Sequence, residues 1–400
     1  MTISDLPLSY CTNVHPARTP EDVLQGLRDF TVPAQREFGG RVAAGLWLAQ
    51  SATQEILRGR NSEGLEQFAG GVEGRGLMCY TLNAFPYGNF HSARVKEQVY
   101  LPDWTQPSRR EYTEDCAEIL SYLLPERVDG SISTVPLGFK GFSHPPEFQV
   151  QCAQQLLQLT RVLKELHEKT GRLIRLAIEP EPFCVLETIP ETRQFFSLLR
   201  EQAEIAGLRD DVDEYIGVCF DVCHQAVEYE DIADCFRQLV ADDIRINKLH
   251  ITCALQLDNP AENVEGRKAL ANYAEPRYLH QTIAPTSDGS QIRCIDLTPE
   301  LALNPPPEFL NAPSWRIHFH VPVNAERVGP LATTRPQLLQ ALQQIPALPY
   351  APHLEVETYT WEVLPDAPPV QSAERLIHGL AEELRATNKL ITELVLKSGV

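Results

Sequence analysis

The chain has 400 residues, 43% of them hydrophobic, which is enough for one large α/β barrel with insertions or for two ordinary domains. Its 54 acidic and 35 basic side chains give a formal net charge of −19 at pH 7. An anionic surface repels phosphate backbones and acidic lipid headgroups, so the composition disfavours nucleic acid and membrane surfaces and favours a small-molecule ligand or a cationic protein partner.

The sequence also indicates a soluble protein of the cytoplasm. No basic segment followed by an apolar stretch opens the chain, and no uninterrupted apolar run is long enough to span a bilayer. The ten cysteines are scattered, and several lie in apolar stretches where a thiol packs as a small hydrophobe. We therefore expect reduced cysteines, no signal segment and no membrane insertion.

Short apolar stretches along the chain predict β-strands. Most are apolar on both faces, as strands covered by helices are. The candidates span residues 8–15, 42–48, 77–85, 131–138, 173–180, 216–224, 246–255, 315–323 and 352–360.

Amphipathic helices are predicted between these strands. Thr19, Pro20 and two acidic residues form a helix start, and a second start at Pro190 opens a segment that ends at Gly207. Further helices are predicted over 113–124 and 146–171, and from about Ser372 onward. This alternation of strand and helix predicts a parallel sheet.

Nine strands are one more than a (β/α)₈ TIM barrel needs, and a doubly wound open sheet is the alternative. Ligand-type residues follow several successive strands, and such residues converge most easily when the sheet closes on itself, so we predict the barrel. The extra strand is assigned to an insertion over about 256–314, which is rich in Pro and Asn and has little periodicity. We expect this insertion to cover the barrel mouth, within a single domain spanning residues 1–400.

Acidic residues and histidines stand at the ends of the later strands. They are Glu179, Asp221, His224, His250 and Glu357. Buried carboxylates and imidazoles are costly unless a cation or hydrogen bonds satisfy them, so the repeated pattern predicts one shared divalent-metal site. Three carboxylates and one imidazole suit Mn²⁺, Mg²⁺, Co²⁺ or Zn²⁺.

Each of these residues also has a simpler interpretation. Glu179 fits a surface loop or a partner for an arginine, Asp221 fits an N-cap, and a lone buried histidine such as His250 is more often a satisfied core residue than a ligand. Glu355 lies two residues before Glu357 and therefore on the same strand face, which leaves the choice between them open.

Other polar residues are candidates for substrate contacts at the same mouth. His318 and His320 alternate with Phe319 and so face one side, where they are alternatives to His250 as ligands or candidates for acid–base roles. Arg316 shares that face by spacing and would suit a carboxylate or phosphate. The earlier strands contribute His15, Asn83, Tyr87, His91 and Thr134. Their simpler interpretation is turn and loop architecture, since FPYGN is turn chemistry.

At the strand-end residues the chain resembles the xylose-isomerase-like TIM-barrel superfamily of sugar isomerases, epimerases and related metal enzymes. There, Glu, Asp, His and Glu from the later strands hold a divalent cation. The resemblance implies that Glu179, Asp221, His250 and Glu357 are the ligands, with His224 beside them or against the substrate. The order matches, although the last interval is lengthened by the 256–314 region and the HFH strand.

A longer similarity covers nearly the whole chain and is to the metabolite traffic protein EboE family. It is carried by SYCTNVHP, TLNAFPYGNFH, VKEQVYLPDW, GSISTVPLG, RIHFHVPV and LEVETYTW. This family comprises TIM-barrel proteins of a bacterial gene cluster linked to export or trafficking of small metabolites. The resemblance implies a metabolite ligand and, as partners, other proteins of that cluster.

Two functions follow as expectations. In the first, the metal polarises a carbonyl or alkoxide while Glu179 or Glu357, helped by His224, moves a proton in an isomerase- or epimerase-like reaction. In the second, the barrel is a non-catalytic cytoplasmic component that binds a metabolite and hands it over for export. A metal-dependent endonuclease on the same fold is disfavoured by the net charge.

Overall fold

The computed structural model describes residues 4–58, 62–365 and 373–397. Most of the strands are short and fully buried, as the apolar stretches predict. In chain order the strands are β1 Ser9–Cys11, β2 Ala43–Trp47, β3 Thr81–Asn83, β4 Gly130–Thr134, β5 Ile174–Ile178, β6 Ile216–Asp221, β7 Ile246–Ile251, β8 Cys253–Asp258, β9 Thr282–Pro285, β10 Gln291–Cys294, β11 Ser314–Val321, β12 Arg327–Val328, β13 Leu331–Thr333 and β14 His353–Val356.

Eight of these strands form a closed barrel in which every neighbouring pair is parallel. The order around it is β1-β14-β7-β6-β5-β4-β3-β2. The predicted TIM barrel is therefore confirmed over the open sheet. The register places Asp221 of β6 beside His250 of β7, and His250 beside Glu355 of β14. Residues at the carboxyl ends of these three strands consequently meet at one mouth.

Helices pack around the barrel and between its strands. They are α1 Pro20–Gly26, α2 Val32–Phe38, α3 Gln50–Ile56, α4 Ser62–Glu73, α5 Pro107–Leu123, α6 Phe148–Thr170, α7 Ile189–Ala206, α8 Arg209–Tyr215, α9 Val222–Val227, α10 Ile232–Ala241, α11 Val264–Ala271, α12 Pro299–Leu303, α13 Pro307–Leu310, α14 Arg335–Gln344 and α15 Ala373–Lys397. None of the helices in the described ranges is long and apolar enough to cross a bilayer.

The helix boundaries follow the local sequence signals. Thr19 and Thr188 each cap a helix through a capping box, with proline in the first turn, which confirms the starts predicted for α1 and α7. Helix α7 ends at Gly207, which has a φ of 66°. Helix α5 begins earlier than predicted, at Pro107. Helix α15 is described from Ala373, and its predicted start at Ser372 lies outside the described residues.

A second sheet is inserted between β7 and β14. It has six antiparallel strands in the order β10-β9-β11-β8-β13-β12. The stretch 246–255, predicted as one strand, is two: β7 stays in the barrel and, after Thr252, β8 enters the second sheet. The ninth candidate strand, 315–323, forms β11 of this sheet.

The inserted region is thus longer and more regular than the sequence predicts. The predicted insertion, 256–314, begins inside β8 and ends where β11 starts. Strands β9 and β10 are four residues each, and β10 is only half-buried, so neither shows a periodicity that stands out from the surrounding loops. Side chains of the inserted sheet, such as Leu255 and Trp315, belong to the same apolar core as the barrel. The sheet is therefore fixed against the barrel.

Candidate metal centre

Four side chains converge at the carboxyl ends of the barrel strands. Glu179 follows β5, Asp221 ends β6, His250 lies in β7 and Glu357 follows β14. All four are buried, and one ligand atom from each lies within 4.8 Å of the others. The strand-end pattern in the sequence therefore corresponds to a single cluster.

The cluster is centred on the Nδ1 atom of His250. Glu179 Oε1 and Glu357 Oε2 are each 3.0 Å from Nδ1, and Asp221 Oδ2 is 3.3 Å away. Within the described ranges, Glu179 Oε2 and Asp221 Oδ2 are buried without a hydrogen-bond partner. Three buried carboxylates this close together repel one another unless a cation lies between them. The arrangement fits a hard divalent cation with mixed oxygen and nitrogen ligands.

The pKa values of the cluster residues reflect their burial and their close charged neighbours. Burial raises the pKa of Glu179, and only the neighbouring His250 opposes the effect. Burial also disfavours ionisation of Asp221, but the imidazoles of His224, His250 and His320 outweigh it and hold the pKa of Asp221 below its usual range. Burial opposes the charged form of His250, while the surrounding acidic groups raise its pKa well above the usual value. The acidic side chains of the cluster thus favour positive charge at this position.

Two amides hold Glu357 in place. Its Oε1 accepts hydrogen bonds from Asn13 Nδ2 at 2.8 Å and from Asn83 Nδ2 at 3.1 Å, which leaves Oε2 facing the cluster. Asn83 was predicted as a substrate contact, and the structure gives it this supporting contact. Asn13 was not predicted, because it lies in a 3₁₀ turn after a strand of only three residues. Its position just beyond the end of β1 is the signal that could have identified it.

Asp221 caps helix α9 and also keeps one carboxylate oxygen available for a cation. Its Oδ1 accepts the backbone N–H of His224 at 3.1 Å, as an N-cap of α9 does, and the hydroxyl of Thr252 at 2.8 Å. Its Oδ2 remains free and faces His250. Capping therefore fixes the orientation of the carboxylate and leaves one oxygen for a cation.

Glu355 and Glu357 lie at different depths in the barrel. Glu355 is paired with the buried ammonium group of Lys248, 2.6 Å away, and accepts a hydrogen bond from Ser9 Oγ at 2.7 Å. Glu357 belongs to the four-residue cluster. Because both oxygens of Glu355 already have close polar neighbours in the barrel interior, the geometry favours Glu357 as the ligand.

A pocket with about 520 Å³ of empty space, part of it open to solvent, leads to the cluster. Its lining includes several aromatic rings and three histidines. The aromatic side chains are Phe85, Phe90, Tyr100, Tyr278 and Tyr359, and the histidines are His224, His318 and His320. Lys96 also lines the pocket, but its ammonium group is held by Glu275, Tyr278 and Asp296.

His318 and His320 both line this pocket, although a β-bulge interrupts β11 between Ile317 and His320. Arg316 does not reach it. Its guanidinium donates to Gln256 Oε1 and to the carbonyl of Ala226, and it stacks on Tyr229 at 4.1 Å. Arg316 pairs with Gln256 and His320 with Ala254, two positions on one face of β8, so Arg316 shares the face of His320 as predicted but does not line the pocket.

The remaining predicted contacts lie outside the pocket and have structural partners. His15 stacks on Phe30 and contacts Tyr10 Oη at 2.9 Å, and Tyr87 packs edge-on against Tyr112. His91 contacts the carbonyl of Asn13 at 2.9 Å, and Thr134 accepts from the Trp104 indole at 3.2 Å. None of these four side chains lines the pocket.

Glu181 is a pocket residue that the sequence analysis missed. It accepts a hydrogen bond from Tyr100 Oη at 2.6 Å and lies 3.5 Å from His318 Nδ1. Burial raises the pKa of its carboxyl group well above the usual value. The signal was present in the EPEP segment, where Glu181 lies two residues beyond Glu179.

Removing the amide support of Glu357 should weaken metal binding. We expect Asn83→Ala to lower the affinity for Mn²⁺ or Zn²⁺ by about 10- to 100-fold, because outer contacts that orient a ligand have effects of that size. Isothermal titration of the chelator-treated protein measures it. Asn89→Ala, which removes an exposed loop amide, is the control and should bind as the parent does. Equal affinities for the two variants would contradict the supporting role.

No protein-family model matches the sequence, and no curated protein matches it either. The resemblance to the EboE family therefore stays a prediction.

Similar solved structures share little sequence with this chain. One is a xylose isomerase-like TIM barrel protein from Mycobacterium smegmatis in complex with magnesium, at 11% identity and a TM-score of 0.49 over 95% of this chain and 98% of that one. Another is the IOLI protein with a binding zinc atom, at 14% identity and a TM-score of 0.46 over 97% of this chain and 99% of that one. A third is a xylose isomerase domain containing protein from Salmonella typhimurium LT2, at 13% identity and a TM-score of 0.42 over 98% of this chain and 99% of that one. The fold assignment here rests on the strand order itself.

Proposed function

We propose that this protein is a divalent-metal enzyme that moves a proton on a small hydroxyl- or carbonyl-bearing metabolite, by isomerisation, epimerisation or a related step. The observation that carries the proposal is the meeting of three buried carboxylates and one imidazole at the base of a pocket, with two carboxylate oxygens unpartnered among the described residues. Such an arrangement is costly as pure architecture and useful as a cation site.

Glu179, Asp221, His250 and Glu357 would hold the cation, which when bound supplies a Lewis acid for a carbonyl or alkoxide oxygen. The chain's own residues would do the rest. Asn13 and Asn83 orient Glu357. The Glu181 carboxyl group faces the same pocket and is positioned by Tyr100 to exchange a proton with a bound ligand.

Aromatic rings that line the pocket would exclude water and pack against the carbon skeleton of the ligand. Phe85, Phe90, Tyr278 and Tyr359 supply them. In keeping with the EboE resemblance, the ligand would be a metabolite destined for export.

A non-catalytic binding or handover role is the second candidate. It is favoured by the way the inserted sheet completes the pocket, since Tyr278, Leu279, His318 and His320 all come from the inserted region. A pocket partly covered by the inserted region would retain a ligand whether or not the ligand reacts.

Hydrogen exchange in deuterium oxide separates the two functions. Metal-loaded protein is incubated with a panel of unphosphorylated aldoses, ketoses and cyclic polyol ketones, and deuterium at carbon is followed by NMR. Exchange that requires the metal and falls at least about tenfold in Glu181→Gln would support the enzyme, since general acid–base groups contribute effects of that order or more. Saturable binding of a panel member without exchange would favour the handover role.

A further inference from the structure

The unpartnered polar atoms at the pocket lining are all hydrogen-bond acceptors. Among the described residues that line the pocket, four side-chain atoms are buried without a hydrogen-bond partner: Asn13 Oδ1, Glu179 Oε2, His318 Nε2 and His320 Nε2. Glu179 is a proposed metal ligand, which leaves three atoms for a bound molecule. Buried polar atoms are normally satisfied, so these three indicate hydrogen bonds that a ligand supplies.

The contacts of each side chain show that these atoms accept. Asn13 Nδ2 donates to Glu357 Oε1 at 2.8 Å, so Oδ1 is the other atom of the amide. His318 Nδ1 lies 2.8 Å from Gln281 Oε1, and His320 Nδ1 lies 2.9 Å from the carbonyl of Glu357. Carbonyl oxygens only accept, so Nδ1 carries the proton and, in the neutral ring, Nε2 carries the lone pair. Burial lowers the pKa of His318 well below its usual value, which keeps that ring neutral.

Carboxyl groups outnumber amines at the lining. Glu179, Glu181 and Glu357 line the pocket, and Lys96 is the one lysine or arginine among the described residues that does so. The Lys96 ammonium group already donates to three oxygen atoms within 2.9 Å. A divalent ion would neutralise two of the three carboxylates of the metal cluster and leave one negative charge. A phosphate or carboxylate on the ligand would therefore be repelled.

An ammonium group complements this lining better than a hydroxyl group does. It has three donors and no acceptor, whereas a hydroxyl adds lone pairs to a pocket that already has unpaired acceptors. Hydrogen bonds from a charged donor are also about twice as strong as those between neutral groups. Aromatic rings attract cations, and the rings of Phe90, Tyr278 and Tyr359 lie together at the lining with centroids 4.8 to 5.5 Å apart.

We propose that the pocket recognises a polyhydroxylated ligand that carries a protonated amine, such as an amino sugar or an aminocyclitol, and excludes anionic ligands. The ammonium group would donate to the nitrogens of His318 and His320. Side-chain ligand atoms of His320 and Asp221 lie within 4.8 Å of each other, so the negative charge of the cluster is beside these acceptors. The inference deepens the proposed function by naming the ligand class, and it rests on that proposal only in taking this pocket as the ligand site.

Isothermal titration of the full chain, with and without added Mn²⁺, tests the proposal with matched probes. One series is D-glucosamine, D-glucose, N-acetyl-D-glucosamine and D-glucose 6-phosphate, and the other is scyllo-inosamine and scyllo-inositol. In at least one series the amine should bind about tenfold or more tighter than its hydroxyl parent, because its hydrogen bonds are charge-assisted. Acetylation removes the charge and should remove the gain, and the phosphate should not bind saturably.

His318→Phe keeps a ring of similar size and removes the Nε2 acceptor. It should lower the ratio of amine affinity to hydroxyl affinity by about fivefold or more, since a hydrogen bond to a charged group is lost. A ratio between two ligands on one variant does not change when part of the protein fails to fold. His144→Phe is the matched control, because His144 contacts the carbonyl of Phe139 outside the pocket, and it should keep the ratio of the parent.

Three results would overturn the proposal: no saturable binding of either amine, amines that bind no tighter than their hydroxyl parents in both series, or saturable binding of glucose 6-phosphate. An unchanged ratio in folded His318→Phe would overturn it as well. Amine preference without deuterium exchange would support this inference and count against the enzyme. Exchange on a neutral sugar without amine preference would support the enzyme and overturn this inference.

Discussion

Replacing Lys248 with methionine is expected to lower the free energy of unfolding by about 3–5 kcal/mol, because removing one partner of a buried ion pair leaves an uncompensated charge. Lys248 Nζ lies 2.6 Å from Glu355 Oε1, and both side chains are fully buried inside the barrel. Burial disfavours ionisation of Glu355, but Lys248 and His250 together outweigh it and lower the pKa of Glu355 to about 2. Urea unfolding followed by circular dichroism measures the loss.

The double variant Lys248→Met/Glu355→Gln is the control for that result. It removes both charges and keeps an oxygen that can accept the hydrogen bond from Ser9, so most of the lost stability should return. The Glu355 carboxylate also explains the glycine in β2. A Cβ atom on Gly45 would lie 1.5 Å from Glu355 Oε2, so no larger residue fits there. A double variant as unstable as Lys248→Met would show that the lysine acts through its packing instead.

Replacing Glu357 with glutamine is expected to weaken Mn²⁺ or Zn²⁺ binding by more than about 100-fold, because loss of contacts that merely orient a ligand already has effects of 10- to 100-fold. Glu357 supplies one of the oxygens 3.0 Å from His250 Nδ1. The amide has nearly the same size and can still accept from Asn13 and Asn83, so the fold should be kept. Competition with a chromophoric chelator measures the affinity.

Glu362→Gln is the matched control for Glu357→Gln. Glu362 lies five residues further along and pairs with Arg277 at the surface, 2.7 Å away. This variant should bind metal as the parent does. Equal affinities for the Glu357 and Glu362 variants would remove Glu357 from the ligand set.

The barrel and the meeting point of the site residues were predictable because they follow from local patterns. Apolar strands alternate with capped helices, and Glu179, Asp221, His250 and Glu357 each stand at or just beyond a strand end, where a parallel barrel brings side chains together. Sequence spacing could not separate Glu355 from Glu357. The choice depends on Lys248, whose ammonium group is beside Glu355 only because β7 and β14 are neighbours.

The parts of the site that were missed depend on contacts far apart in the chain. The role of Asn13 depends on its hydrogen bond to Glu357, 344 residues away. In the inserted sheet, β8 pairs with β11 and β13, which follow it in the chain only after several other elements. The pairing of His318 and His320 with His224 follows from that sheet packing against the barrel, which no local pattern encodes.

The metal content of the protein, purified without chelator and measured by inductively coupled plasma mass spectrometry, tests the central claim most directly. We predict at least one stoichiometric divalent transition ion or Mg²⁺ per chain, lost with chelator, and a higher melting temperature when Mn²⁺, Co²⁺ or Zn²⁺ is restored. A protein that carries no stoichiometric metal and gains no thermal stability from any of these ions would contradict it.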